Sequence, residues 1–400
     1  MPLMLNADPQ RPDTPNASVG RAESVPGSPT GSEPGIQAPK LDGKAPPGRA
    51  DPDTCEIRVG PAGWSYPDWS GYVYPSPRPK GFNEATYLAE FFDTIEINTS
   101  FYSPLQPGHA HQWLERVAAN PRFLFTAKMW QKFTHEAILD VQSNTPPPLA
   151  RLSSSKLSRT SSRSTGSPSA DDERAVRAGF DVLRNAGKLG AVLLQFPFSF
   201  HRTTETQGYL AALLKRFADY PLAVETRHAS WDDPEILALL GEHHAAFCNI
   251  DQPIIGNSLL PREGQSPQPL EMNSLAHKED LAAPVGYIRL HGRRYDTWFS
   301  DDPTIPRHER YNYLYSVEEL TPWAGRIQSA GARTRKVFAI TNNHYLGKGV
   351  VNALQLISML KGTRVNVPES LRQQYPELDK IASLPPEKPT LFPMGKETKV

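Results

Sequence analysis

The sequence predicts an α/β fold, a TIM-type eight-stranded parallel barrel, from three observations. Short apolar runs bounded by turn residues recur eight times, most are separated by segments of helical period, and polar residues gather where the runs end. Strands alternating with helices imply parallel pairing through right-handed crossovers. Eight strands in about 310 residues suit a closed barrel better than an open sheet.

The runs are "IRVGPAGW" from 57, "TIEIN" from 94, "RFLFTAK" from 122, "AVLLQFP" from 191, "LAVETRH" from 222, "AAFCNID" from 245, "GYIRLHG" from 286 and "KVFAITNN" from 336. Helical period appears in "NEATYLAEFF", "HAHQWLERVAA", "YLAALLKRFA", "DPEILALLGEHH", "VEELTPWAGRIQ" and "VVNALQLISML". "SVEE" from Ser316 reads as a capping box, and Asp232 or Asp233 as another cap. The stretch 253–284 carries no convincing helix.

Forty prolines in 400 residues are concentrated at the ends and in a few internal stretches. Residues 1–52 hold too few large apolar side chains to offset ordering entropy and read as a disordered tail. The barrel domain is expected over 53–362, interrupted by a Ser-rich disordered insertion at about 143–173, with a Pro-rich tail over 363–400.

Lys plus Arg and Asp plus Glu both number 43, so no overall field favours nucleic acid. Cys55 and Cys248 give neither a disulfide framework nor a zinc spacing. The N-terminus lacks a secretory signal pattern, and no run is long enough to span a membrane. A cytoplasmic protein is expected.

Alternate strand residues share a face. In "TIEIN", Glu96 and Asn98 oppose Ile95 and Ile97; Glu225 and Arg227 share a face, as do Tyr287, Arg289 and His291. Lys128, Gln195 and Asp251 sit at or near the ends of their runs, and Asn342 and Asn343 end the eighth. These residues are expected to converge on the C-terminal mouth, where TIM-barrel active sites lie. Structural ion pairing, Glu225 with Arg289 or Glu96 with Arg227, is the plain alternative.

Glu96, Glu225 and Asp251 are candidate bases, with His291 as acid, base or metal ligand and Lys128 as a further catalytic candidate. Asn98, Gln195, Arg227, Arg289, Asn342 and Asn343 are candidate substrate contacts. No metal-ligand spacing is present, and the sequence names no cofactor. The loops "HGRR" from 291 and "NNHYLGKGV" from 342, with Arg293 and Lys348, could hold a phosphate or carboxylate, or form a plain turn. "GWSYPDWSGYVYP" offers Trp64 and Tyr66 for stacking on a ligand, although such rings more often plug a barrel top.

In order, "GWSYPDW", "IEINTSFY", "FTAKMWQKFTH", "LLQFP", "VETRHASW", "YIRLHG" and "TNNHYLGKGVVNALQL" closely resemble the domain of unknown function 72 (YecE-like) family, over about residues 56–361. The resemblance implies a TIM barrel and no established activity. The family's recurrent polar residues map onto Glu96, Asn98, Lys128, His135, Gln195, Glu225, Arg227, His228, Arg289, His291, Asn342 and Asn343. Thr226 replaces a usual aromatic, Ala229 a usual proline, and "PAGW" a "TSGW"-like start.

The expected function is an enzyme using general acid and base chemistry on a small polar or anionic molecule. One alternative is a metal-dependent hydrolase or isomerase like sugar-isomerase or endonuclease barrels. The other is a binding or scaffold protein docking a protein partner through the tails or insertion.

Overall fold

A computed structural model describes residues 55–138, 167–262, 285–300 and 302–383. The expected N-terminal tail and most of the expected insertion lie outside these residues.

All eight expected strands form. They are β1 (Glu56–Pro61), β2 (Thr94–Ile97), β3 (Leu124–Lys128), β4 (Leu189–Gln195), β5 (Leu222–Glu225), β6 (Ala246–Asp251), β7 (Val285–Leu290) and β8 (Lys336–Thr341). They pair in parallel in the order β1-β8-β7-β6-β5-β4-β3-β2. The barrel nearly closes: β1 and β2 meet through the bridge of Ala62 with Glu96 and a 2.8 Å bond from Gly63 N–H to the Glu96 carbonyl. Gly60 permits that approach, since a Cβ there would stand 2.0 Å from the Thr94 carbonyl oxygen.

Among the described residues, seven main helices flank the strands: α1 (Glu84–Leu88), α2 (Pro107–Arg116), α3 (Ala170–Asn185), α4 (Thr204–Arg216), α5 (Pro234–Glu242), α6 (Val317–Gly331) and α7 (Lys348–Lys361). Ser316 caps α6 through the expected box, and Asp233 caps α5. Helix α3 was not expected, and its first turn lies inside the stretch assigned to the insertion. Ser169 and Asp172 form a reciprocal capping box there, and Val176, Phe180 and Leu183 bury one stripe.

The fold also passes the expected boundary at 362. Helix α8 (Glu369–Gln374) and a 3-10 turn (Pro376–Lys380) bury Leu371 and Leu378, and Val365 bridges to Ala382. Two leucines among prolines give enough burial to hold this segment on the barrel; Ser370 Oγ also donates to the Val73 carbonyl at 2.9 Å.

Alternation divides the strands. Leu124, Ala191, Ala223, Ala246, Cys248, Tyr287, Phe338 and Ile340 form the core within the barrel, while Ile95, Ile97, Phe125, Val192, Val224 and Ile288 join the core under the helices. No described helix is long and apolar enough to cross a membrane.

Candidate active site

Above the apolar filling, the inward positions toward the C-terminal ends of β2, β3, β4, β5 and β7 become polar, as Glu96, Lys128, Gln195, Glu225 and Arg289. Arg289 on β7 is fully buried and crosses the barrel to two carboxylates. Its Nη2 donates to Glu96 Oε1 on β2 at 2.8 Å, and its Nη1 to Glu225 Oε2 on β5 at 2.6 Å. Tyr287, two residues earlier, donates its hydroxyl hydrogen to Glu96 Oε2 at 2.9 Å, and its oxygen lies 2.9 Å from the Thr126 hydroxyl.

The second oxygen of Glu225 is equally occupied. Gln195 Nε2 donates to Oε1 at 2.6 Å, and Arg227 donates to it from Nε at 3.1 Å and Nη2 at 2.9 Å. Burial pushes this carboxyl up, but Arg289, His291 and Arg227 outweigh it and hold it well below the usual range. Glu225 therefore stays ionised with its acceptors filled, and it organises cations rather than collecting protons.

His291 lies beside this pair, its Nε2 3.4 Å from Glu225 Oε1 and its Nδ1 3.0 Å from Asn342 Nδ2. With the Asn342 amide nitrogen donating, Nδ1 accepts and Nε2 carries the proton toward the carboxylate, although the donor-only Arg289 Nη1 also stands 3.4 Å from Nε2. Burial holds the imidazole neutral, lowering its pKa to about 3.

Lys128 ends β3 at the opening. Its Nζ is 3.7 Å from Glu96 Oε1, beyond hydrogen-bond reach, and 5.7 Å from the Phe101 ring centroid. Burial, then the Arg289 charge, lowers its pKa to about 8. Two carboxylates thus face three cations, Arg227, Arg289 and Lys128, with a neutral imidazole between them. One positive charge is left over.

Other expected residues stand apart. Asp251 does not join this cluster. Ile250 pairs with inward-facing Arg289, while Asp251 pairs with Leu290, so Asp251 faces the helices and holds Arg293 Nε at 2.9 Å. Asn343 likewise turns outward, donating to the Tyr313 carbonyl at 2.8 Å and to Asn352 Oδ1 at 2.7 Å. Trp64 packs edge-on against Trp113, 5.0 Å between centroids, outside the barrel.

Tyr66 stays near the opening. It stacks on His344 at 4.3 Å, donates to the Ala62 carbonyl at 2.7 Å and accepts from Asn98 Nδ2 at 3.3 Å. Trp69 and Tyr74 are fully buried, so most of this aromatic loop is structural. The expected phosphate loop is satisfied internally: Lys348 donates to Asn312 Oδ1, Arg293 meets Asp251 and Glu319, and Asp68 accepts from Leu346 N–H at 2.6 Å.

Sequence reasoning missed Thr126, Phe101, His344 and Trp298 as neighbours of the cluster. Thr126 shares the face of Lys128 by alternation, which was a usable signal. The others lie on loops, where no period points inward; Trp298 lies beneath the Arg227 guanidinium at 5.9 Å.

Clefts of about 720 Å³ beside Arg202 and Glu235 and about 750 Å³ at the N-terminal barrel end around Arg58 and Arg122 lie elsewhere. Arg202, Arg58 and Arg122 pair with Asp233, Glu235, Glu56 and Asp93, and the other cations lining the second cleft, Lys361 and Arg364, are exposed to solvent, so among the described residues neither cleft buries a cation without a hydrogen bond as the mouth buries Lys128. Among the described residues, no group of three or more His, Cys, Asp or Glu side chains is placed to hold a metal ion.

The family model described as "Protein of unknown function DUF72" matches residues 58–377. A DUF72 family protein from Thermotoga maritima MSB8 is similar in structure, with 26% identity and a TM-score of 0.57 over 76% of this chain and 99% of its own. A DUF72 family protein from Enterococcus faecalis V583 shares the fold at 21% identity, with a TM-score of 0.57 over 76% of this chain and 95% of its own. No curated protein matches the chain. With its motifs in order, its barrel formed and the family match spanning most of its length, the chain belongs to the DUF72 family.

Proposed function

We propose that the protein is an enzyme that takes a small anionic substrate at the C-terminal mouth of the barrel and moves protons there through Lys128. The observation that carries this reading is the surplus cation: nearly buried Lys128 forms an ion pair only with Glu96, at 3.7 Å, a carboxylate Arg289 already holds, and it makes no hydrogen bond among the described residues. A charge in that position is costly unless something pairs with it. Glu96 and Glu225 are already spanned by Arg289, so an incoming anion is the natural partner.

The proton-moving role follows from the same place. A general acid or base works best with a pKa near the working pH, and Lys128 at about 8 is closer than His291 at about 3. Asn98, Gln195 and Asn342 line the opening with neutral donors and acceptors that would orient the ligand.

The test is thermal denaturation of the full chain with phosphate, small carboxylates, sugar phosphates and neutral sugars, in wild type and Lys128→Met. A bound anion should raise the melting point, by about 2.7 kcal/mol of stability at a hundredfold its dissociation constant. The shift should vanish in the variant and weaken as pH rises through 8, where Lys128 loses its proton amid Glu96, Glu225, Arg227, Arg289 and His135. Equal shifts in both proteins, or a matching shift from neutral sugars, would overturn the proposal.

A further inference from the structure

We infer that Lys128 is a nucleophile that forms a Schiff base with the carbonyl carbon of a small oxo acid whose carboxylate pairs with Arg227. This rests on the anion-binding reading of the mouth and names its substrate class.

The geometry points to covalent chemistry beyond simple charge pairing. An anion site is usually built from several convergent donors, whereas Lys128 presents one primary amine, held over the Phe101 ring and free of any hydrogen bond among the described residues. Arg227 supplies the matching carboxylate contact. Its Nε and Nη2 are committed to Glu225, its Nη1 has no partner among the described residues, and its side chain is 22% exposed.

A lysine becomes a nucleophile when it is desolvated or set beside another cation, because only the free amine carries the attacking electron pair. Lys128 meets both conditions: it is nearly buried, and the Arg289 guanidinium is close enough to disfavour its ammonium form. The amine attacks the carbonyl carbon, a C–N bond forms, and the carbonyl π pair moves to oxygen. One proton passes from nitrogen to that oxygen, the proton that the ammonium gave up before the attack returns to the resulting hydroxyl, and water leaves as the nitrogen lone pair closes the C=N bond. Overall, ammonium and carbonyl give iminium and one water, with no oxidant or reductant. The iminium retains the single positive charge that faces Glu96, so the surrounding ion pairs need not rearrange.

The experiment incubates the full chain with glyoxylate or pyruvate and sodium cyanoborohydride, followed by intact mass and peptide mapping, with thermal shift by the same acids measured in parallel. Hydride reduction of the iminium should add the mass of the acid less one oxygen at Lys128, at least tenfold faster than at any other lysine. Lys128→Arg should keep the thermal shift and lose the adduct. A thermal shift without preferential labelling of Lys128 would overturn the Schiff base and leave the anion site standing. Absence of both shift and adduct would overturn the Schiff base, and the anion site would then stand or fall on the phosphate and sugar-phosphate shifts.

Discussion

Two arginine clusters lie four positions apart around the end of β7, and they differ in what surrounds them. Arg289 points into the barrel, is wholly buried and bridges Glu96 to Glu225. Arg293 points under the helices, is 30% exposed and bridges Asp251 to Glu319. Each joins two carboxylates, but the inner cluster adds Arg227 and Lys128 and is left positive, while the outer one is left negative. Identical pairing chemistry thus serves two ends: the outer cluster ties a strand to a helix, and the inner one leaves a charge facing the opening.

The largest expected effect breaks the inner cluster. Arg289→Met leaves two buried carboxylates without their shared partner and should cost about 3–5 kcal/mol in urea denaturation. A loss below about 1 kcal/mol would mean that water already reaches Glu96 and Glu225 and that the contrast with the outer cluster is false.

A smaller effect is expected outside. Asp251→Asn weakens the charged hydrogen bonds to a partly exposed arginine and should cost roughly 1–3 kcal/mol, leaving anion-induced shifts intact. If this variant instead lost ligand response at unchanged stability, the outer cluster would be the site.

The gentlest test is acid titration of stability. His291 at about 3, and His135 and His344 at about 4, are lowered chiefly by burial and are neutral in the fold. In the unfolded chain they protonate near pH 6.5, so that chain binds more protons between the two values. The stabilisation is complete above about pH 6.5 and is lost as pH falls toward 4, by on the order of 1 kcal/mol per pH unit for fully buried His291. Glu225, held low, adds to the loss as pH falls below about 4.3, where the unfolded carboxylate protonates. His291→Gln should flatten the slope of melting temperature against pH; an unchanged slope would place the acid sensitivity elsewhere.

Much of this was legible beforehand. Alternation in "TIEIN", "LAVETRH" and "GYIRLHG" put Glu96, Glu225 and Arg289 inward, because one face of each run is continuously apolar. It failed for Asp251. In "AFCNID" the apolar face of Ala246, Cys248 and Ile250 turns into the barrel and the face carrying Asn249 and Asp251 turns outward, the reverse of β2, β5 and β7, and only its register with β7 shows it. Asn343 and Trp64 failed because they stand at strand ends and in loops, where the chain leaves the two-residue period. Helix α3 was hidden by its Ser- and Asp-rich start, a cap that resembles the end of a polar insertion.

By itself the sequence determined the strand count, the parallel alternation and the set of polar residues destined for one end, since these depend on local periodicity. Tertiary structure decided which charges meet. Arg289 reaches Glu96 across 193 positions only because β1 and β2 come together and the barrel nearly closes. Closure also leaves Lys128 buried without a hydrogen bond among the described residues: Coulomb energy depends on distances across the barrel, and no spacing along the chain encodes them.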